Sequence, residues 1–200
     1  MAKYKNLEER LGNKANYYVG SLDLSELPPY SRQDGIWQCE KCGEIFELDM
    51  NTMATRYKCH CDECRWQEYL ERPTGRCHQW LLDHELEVTK EQTYDELRSE
   101  DTGRKLRFDF CAYLEYEGES YIWLIELDGI QHSQYSPYYH DSYEEFEKQQ
   151  KYDKQKEQFC KDNNIPLIRI ETWREEVEEV LEVTLGLELY LIKEESYHGR

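Results

Sequence analysis

The sequence predicts an α/β protein in which helices sandwich a mixed sheet, with a small cysteine-rich module ahead of it. Beyond residue 75 the apolar patterning gives elements in the order αβββαβα, which is typical of a sheet covered by helices. Upstream, five of the eight cysteines fall between Cys39 and Cys64. A length of 200 residues fits one domain plus such a module, and 38% apolar residues are enough for a packed core.

Turn-forming residues divide the chain into four expected segments. They are an N-terminal arm with one short helix (1–35), the cysteine-rich module (36–70), the α/β domain (75–192) and a tail (193–200). The stretch Arg72-Pro73-Thr74-Gly75 breaks the chain between module and domain and provides a helix start.

Within the α/β domain, each predicted element follows from its apolar spacing. The elements, in order, are a helix (76–85), a short strand (86–88), two hairpin strands (106–116 and 121–127), a long polar helix (142–163), a buried strand (166–170) and an acidic helix (173–183). The two hairpin strands are joined by the turn sequence Glu117-Gly118-Glu119-Ser120. An apolar segment, 185–192, has no clear type.

The formal net charge of -18 at pH 7 argues, taken alone, against a nucleic-acid partner. The excess acids lie in the C-terminal two thirds of the chain, whereas residues 37–80 are almost neutral. No apolar run is long enough to span a membrane, and the N-terminus lacks the apolar stretch of a signal peptide. We therefore expect no membrane partner and a cytoplasmic location, where thiols stay reduced.

The spacing of a structural zinc site is present in two Cys-x-x-Cys pairs, Cys39/Cys42 and Cys61/Cys64. Such a turn brings two thiolates to one side, at the separation that tetrahedral Zn²⁺ requires, and Gly43 can supply the positive φ that the first turn needs. Four thiolates leave no open position for catalysis, so a zinc ribbon or treble clef is expected. Two alternatives are a register that uses Cys59 in place of Cys61, and a set of unrelated reduced cysteines.

A second group of candidate residues lies on the two hairpin strands. Alternation puts Glu126 and Asp128 on one face of an otherwise apolar strand, where two carboxylates repel each other and resist burial. A divalent cation is the simplest remedy. Asp109, between two phenylalanines of the partner strand, would complete a three-carboxylate Mg²⁺ site. The alternative for Asp128 is a turn residue, because Gly129 follows it.

Further candidate residues come from the loop and the long helix. His132 follows the second hairpin strand closely. Asp153 and Lys156 share a helical stripe with Phe146 and Cys160, and an acid on a buried stripe is unusual without a partner. Taken singly, the histidine reads as a surface residue and the helix pair as a solvated ion pair. Their joint occurrence with the strand acids indicates a metal-dependent hydrolytic site.

At this point four strings, in order and with consistent spacing, resemble the PD-(D/E)XK nuclease superfamily. They are Leu-Arg-Phe-Asp-Phe (106–110), Ile-Glu-Leu-Asp-Gly-Ile-Gln-His (125–132), Asp-Lys-Gln-Lys-Glu-Gln-Phe-Cys (153–160) and Asn-Asn-Ile-Pro-Leu-Ile-Arg-Ile (163–170). The resemblance covers roughly residues 75–192. It is closer to the very-short-patch-repair-like branch, which includes phage-borne homing endonucleases of the EDxHD type and often carries zinc modules ahead of the nuclease unit.

The resemblance implies a restriction-endonuclease-like fold and a Mg²⁺-dependent DNA endonuclease in the cytoplasm of a bacterial or phage-infected cell. It assigns metal binding to Asp109, Glu126 and Asp128, assistance of the attacking water to His132, support of the site to Asp153, and the role of a basic neighbour to Lys156. DNA is the expected partner, and a homodimer is left open. Basic residues expected to contact phosphates are Lys41, Arg56, Lys58, Arg65, Arg72 and Arg76.

The chain departs from this family at the first helix of the domain. The family usually opens that helix with Gly-Glu, and the glutamate approaches the metal. Here the helix opens Thr74-Gly75-Arg76-Cys77, with no acid at that place. A catalytically weak or inactive nuclease fold that binds DNA or protein is therefore the alternative function.

Overall fold

A computed structural model of the chain describes residues 3–198, with side-chain environments as far as residue 194. The Cα positions divide into two compact units, with the division between Tyr69 and Leu70. None of the helices in the described range combines the length and the apolar character needed to cross a bilayer.

The first unit is built on a two-stranded antiparallel hairpin, followed by short helices. Its elements are α1 (Leu7–Leu11), a 3₁₀ turn (Gly12–Tyr17), β1 (Asp34–Gln38), β2 (Ile45–Asp49), α2 (Met50–Thr55) and α3 (Asp62–Leu70). The carboxylate of Asp49 caps α2, because its Oδ1 accepts a hydrogen bond from the N–H of Thr52 at 2.9 Å.

Residues 3–35 do not form the expected arm; they pack into the first unit. Leu7 and Leu11 of α1, and Leu24 beyond it, are buried against Trp37 of β1 and Met50 of α2. The sequence pattern misses this packing because the apolar residues are widely spaced among turn formers. Burial of these side chains gives the small unit an apolar core besides its cysteine cluster.

The second unit is a four-stranded mixed sheet with helices on both faces. Its elements are α4 (Pro73–Asp83), β3 (Glu87–Arg98), β4 (Lys105–Tyr116), β5 (Glu119–Asp128), α5 (Tyr143–Asp162), β6 (Leu167–Glu171), α6 (Val177–Leu181) and α7 (Leu187–His198). The strand order is β3-β4-β5-β6, antiparallel except for the parallel pair β5 and β6. The predicted α/β class, the mixed sheet and the element order are therefore confirmed.

Two apolar clusters hold the helices on the sheet. On one face, α4, α6 and α7 pack on residues such as Phe110, Trp123 and Ile170. On the other face, Cys160 of α5 packs with Phe108 and with strand residues of β4 and β5. Phe108 and Phe110 thus lie in different clusters, so the regular in-and-out alternation of β4 breaks at the position between them, which is Asp109.

Three elements differ clearly in extent from the sequence prediction. The acidic helix expected from residue 173 begins only at Val177, the first residue of α6. The strand expected at 86–88 runs from Glu87 to Arg98, because an edge strand paired only to β4 can carry polar residues on both faces. At the C-terminal end, a π-helical turn (Glu182–Gly186) joins α6 to α7. Helix α7 accounts for the apolar segment of unclear type and continues through 193–198, the described part of the expected tail.

Candidate metal centre and acidic strand site

The first unit brings four cysteines together at the turn of its hairpin. Cys39 and Cys42 lie in the turn between β1 and β2, where Gly43 has a φ of 79°, as the knuckle requires. Cys61 precedes α3, and Cys64 lies in its first turn. The four sulfur atoms all lie within 4.8 Å of one another, which is a group able to hold a metal ion.

Backbone hydrogen bonds favour the thiolate form of one of these four cysteines, Cys39, whereas the pKa values of Cys61 and Cys64 are raised. Burial raises the pKa of Cys39, but hydrogen bonds from the backbone N–H groups of Cys42, Cys61 and Lys41 outweigh it and lower the pKa to about 6. Cys59 is not in the group. Its Sγ lies 3.4 Å from the carbonyl oxygen of Gln38, and its side chain belongs to the apolar core. The geometry thus selects Cys61 over Cys59.

The basic residues expected to contact phosphates are mostly held by acids. The contacts are Arg56 with Asp62 at 3.1 Å, Lys58 with Glu68 at 3.1 Å, Arg65 with Asp62 at 3.7 Å, and Arg76 with Glu176 at 2.8 Å. Lys41 and Arg72 are exposed. The near-neutral charge of residues 37–80 is therefore largely an internal pairing of charges rather than a free basic surface.

In the second unit, the three strand acids lie on β4 and β5 beneath α5. The register pairs Phe110 with Ile125, which puts Asp109 beside Glu126 at the end of the paired region. Asp109 lies where the alternation of β4 breaks, and its Oδ2 accepts a hydrogen bond from the N–H of Leu127 at 2.7 Å. Burial raises the pKa of Asp109 in spite of that bond.

Glu126 is almost fully buried, at 3% exposure, and is paired with the long helix. Its Oε1 accepts a hydrogen bond from Lys156 Nζ of α5 at 2.8 Å. Burial nevertheless dominates and raises the pKa of Glu126 to about 7, and the neighbouring charges of Asp109 and Asp128 act in the same direction. The helical spacing placed Lys156 on the inward stripe of α5, and its ammonium group does contact a strand acid there, Glu126.

Asp128 has a partner that the sequence reasoning did not single out. Arg169 of β6 binds it through two hydrogen bonds, from Nε at 2.7 Å and from Nη2 at 2.8 Å. The same guanidinium reaches Asp153 at 3.4 Å and Glu157 at 3.1 Å. The sequence signal that could have indicated this partner is a charged residue in the middle of an otherwise apolar strand. In the structure, the parallel register of β5 and β6 sets Arg169 opposite Glu126.

His132 and Asp153 form a hydrogen-bonded pair above the strand ends. His132 Nδ1 lies 3.0 Å from Asp153 Oδ2 and 3.4 Å from Asp128 Oδ1. Burial by itself lowers the pKa of His132, but the hydrogen bond and charge of Asp153 outweigh it and raise the pKa. Since a carboxylate accepts at Nδ1, that nitrogen carries the proton and Nε2 is left as the basic nitrogen.

The six predicted site residues therefore share one region, but the three strand acids do not close into a cage. Among the described side chains, only the four cysteines place three or more ligand atoms within 4.8 Å of one another. Lys156 and Arg169 stand against the carboxylates of Glu126 and Asp128 instead.

Glu91 of the edge strand is a further acid beside this region. It lies between Lys90 and Gln92, which pair with Phe110 and Phe108, and its charge contributes to the raised pKa of Asp109. Its φ of 55° is a left-handed conformation that non-glycine residues rarely adopt, and such strain is concentrated at functional sites. At the start of α4, where the resemblance would place a glutamate, this chain has Arg76, which pairs with Glu176.

Taken together, this region places strand carboxylates that are paired with Lys156 and Arg169 beside a hydrogen-bonded His132–Asp153 pair. No family model matches the sequence, and searches of curated proteins and of solved structures find no significant match.

Proposed function

We propose that this protein is a Mg²⁺-dependent DNA endonuclease with a restriction-endonuclease-like second unit, and that the cysteine cluster of its first unit binds Zn²⁺. The observation that carries the proposal is the set of strand acids, buried Glu126 and Asp128 with half-buried Asp109, beside a His132–Asp153 pair beneath α5. The resemblance of the four sequence strings to the PD-(D/E)XK superfamily supports the same reaction.

The donor set fits Mg²⁺, which takes carboxylate oxygens as ligands. Lys156 and Arg169 stand against Glu126 and Asp128, whereas Asp109 makes no ion pair with any described residue, so the three carboxylates are only partly offset by the protein's own cations. Asp109, Glu126 and Asp128 are the proposed ligands. When bound, Mg²⁺ supplies polarisation of a phosphodiester and acidification of a water molecule.

The chain's own residues supply proton transfer and positioning. His132 takes a proton at Nε2, while Asp153 fixes the ring through Nδ1 and stabilises the protonated imidazole. Lys156 holds Glu126 and carries a positive charge in the site, and Arg169 holds Asp128. Catalysis of this kind depends on positioning and on charge neutralisation.

Plasmid cleavage with Mg²⁺ tests the proposal. Wild-type protein should nick or linearise the plasmid, Asp109→Asn should lose activity, and His132→Ala should lose about a hundredfold. Glu179→Gln, which neutralises an exposed acid of α6, is the control and should cleave as wild type does. Equal background with all four proteins, each showing a wild-type melting curve, would refute the enzyme.

The pairing of Glu126 with Lys156 and of Asp128 with Arg169 favours a second candidate, a nuclease fold retained for binding. In that case the site is already neutralised and needs no metal. Titration of Mn²⁺ into wild type and Asp109→Asn separates the two candidates. Binding that the substitution abolishes supports the enzyme, and no binding by either protein supports the binding module.

For the cysteine cluster, elemental analysis provides the test. One Zn²⁺ per chain is expected in the wild type and in Cys59→Ala, whose side chain lies in the core. Cys61→Ala removes one of the four grouped sulfur atoms and should lose the metal. Equal zinc in the two variants would show that the cluster is not the binding site.

A further inference from the structure

A cleft of about 730 Å³ opens beside the proposed catalytic residues in the second unit. Its lining comes from the turn that joins β3 to β4, from the loop after His132, and from the first turns of α5. His132, Asp153 and Lys156 belong to that lining. A strand of nucleic acid in the cleft would therefore reach the residues to which we assign the chemistry.

Five lysines and arginines and three acids line the cleft, in a protein whose net charge is -18. Besides Lys156, its cations are Arg104, Lys105, Arg107 and Lys148, and its acids besides Asp153 are Glu144 and Glu145. Four of these five cations are held by acids: Lys156 by Glu126 at 2.8 Å, Lys105 by Asp95 at 2.6 Å, Arg107 by Glu91 at 2.7 Å and Lys148 by Asp101 at 2.5 Å. Arg104 is exposed and makes no ion pair with any described residue.

Two tyrosines stand unpacked at the cleft. Tyr139 lines it and is 52% exposed, and the neighbouring Tyr138 is 86% exposed. Their rings meet edge to face at 4.8 Å and contact no other described aromatic ring. Tyr135 of the same loop and Tyr143 at the start of α5, in contrast, pack on Phe146 of α5. The first two rings therefore have faces available to a ligand.

These observations favour unpaired bases over duplex DNA. Affinity for a duplex comes mostly from neutralising many phosphates, and one free arginine in a protein of this net charge supplies little of that. Stacking of bases on aromatic rings is worth more per contact and needs no net charge, but it requires bases that are not already stacked in a duplex.

We propose that this cleft binds an unpaired DNA segment, with Tyr138 and Tyr139 stacking on successive bases and Arg104 contacting a phosphate. The inference rests on the proposed function only where it says which phosphate of the bound strand would be cleaved. Binding itself is independent of cleavage. The preferred substrate is thus single-stranded, flapped or branched DNA, in which a strand is already unpaired.

Fluorescence anisotropy of a labelled oligonucleotide tests this inference, with zinc-loaded protein and no added Mg²⁺. The single strand should bind about tenfold or more tightly than its duplex. Tyr138→Ala and Tyr139→Ala should each weaken single-strand binding about tenfold, whereas Tyr139→Phe should retain it because the ring face remains. Tyr190→Ala, at a tyrosine of α7 that is 59% exposed and outside the cleft, is the matched control.

The salt dependence provides a second measurement. Arg104→Gln should reduce the slope of log affinity against log salt by roughly 0.7, the value for one contact to a single strand. Equal affinity for duplex and single strand would overturn the inference. So would tyrosine variants that bind as Tyr190→Ala does.

Failure of the two proposals can be told apart. Tyrosine-dependent binding of single strands without any Mg²⁺-dependent cleavage would support the cleft and refute the enzyme. Cleavage of plasmid duplex that is unchanged in Tyr138→Ala and Tyr139→Ala would support the enzyme and refute the cleft.

Discussion

At the residue scale, Arg169 changes the meaning of Asp128. From the sequence alone, Asp128 is a carboxylate that needs a positively charged partner, and a metal ion is the simplest candidate. In the structure a guanidinium makes two short hydrogen bonds to it, and the same group reaches Asp153. Asp128 is therefore both a proposed ligand and an anchor for the strand that carries Arg169.

We expect Arg169→Met to destabilise the second unit. Asp128 is 5% exposed, and removing its partner leaves a buried carboxylate unpaired, a loss on the order of 3 kcal/mol. Urea unfolding followed by circular dichroism measures it. The double variant Arg169→Met with Asp128→Asn should regain part of the stability, because the buried carboxylate that lost its main partner is then neutral. An unchanged midpoint for Arg169→Met would show that the ion pair contributes nothing.

Asp153 should govern the titration of His132. The hydrogen bond and charge of Asp153 are what raise the pKa of His132 against the effect of burial. In Asp153→Asn the charge is lost while the amide oxygen can still accept, so the pKa of His132 should fall. NMR titration of the imidazole in metal-free protein measures this directly.

The same substitution predicts a shift in the pH profile of cleavage. A general base acts in its neutral form, so activity rises with pH as His132 loses its proton. A lower pKa moves that rise to lower pH, and a less well oriented ring lowers the plateau. Glu179→Gln, remote on α6, should leave the profile unchanged.

At the element scale, two neighbouring acids tie α5 to the β3–β4 turn: Glu100, which pairs with Lys151 at 2.6 Å, and Asp101. Asp101 accepts hydrogen bonds from the hydroxyl of Tyr152 at 2.6 and 2.9 Å and from Lys148 at 2.5 Å. Hydrogen bonds from Lys148 and Tyr152 hold the pKa of Asp101 well below its usual range. This contact positions the turn that lines one side of the cleft.

We expect Asp101→Asn to lower the melting temperature at neutral pH. A carboxyl with a depressed folded-state pKa stabilises the protein above its unfolded pKa, and that stability is lost as pH falls through the folded pKa. The difference from wild type should therefore hold from pH 7 to about pH 4 and narrow only below it. Differential scanning calorimetry measures the difference. Asp162→Asn, whose partner is Gln158 on the same helix, is the control.

At the scale of the whole molecule, two compact units divide the functions between them. The first holds the cysteine cluster, and the second holds the strand acids, the histidine pair and the cleft. The net charge of -18 also takes a different meaning. Many basic side chains of residues 37–80 are paired, and so are most of the cations at the cleft, where Arg104 makes no ion pair with any described residue.

Removal of zinc should affect one unit only. With a strong chelator, the first unit loses the ion that joins its hairpin turn to α3 and should become sensitive to protease, while a fragment close to 70–200 survives. Gel analysis with mass spectrometry identifies that fragment. Degradation of the whole chain at one rate would show that the two units unfold together.

Local patterns determined much of this protein. The Cys-x-x-Cys spacing fixed two pairs of thiols, since a knuckle turn is set by four consecutive residues. The hairpin, the long helix and the buried stripe with Asp153 and Lys156 followed from period and turn chemistry. These features depend on neighbours within one or two turns of chain, which a sequence displays directly.

Only the tertiary structure decided the partners of the charged groups. Arg169 meets Asp128 across 41 positions of sequence, because the parallel register of β5 and β6 brings the two strands together. Long-range register likewise placed Glu91 beside Asp109. The packing of α1 on Trp37 is a third case. Such pairings depend on how strands and helices stack, and stacking energies are shared among many distant side chains rather than encoded in a local pattern.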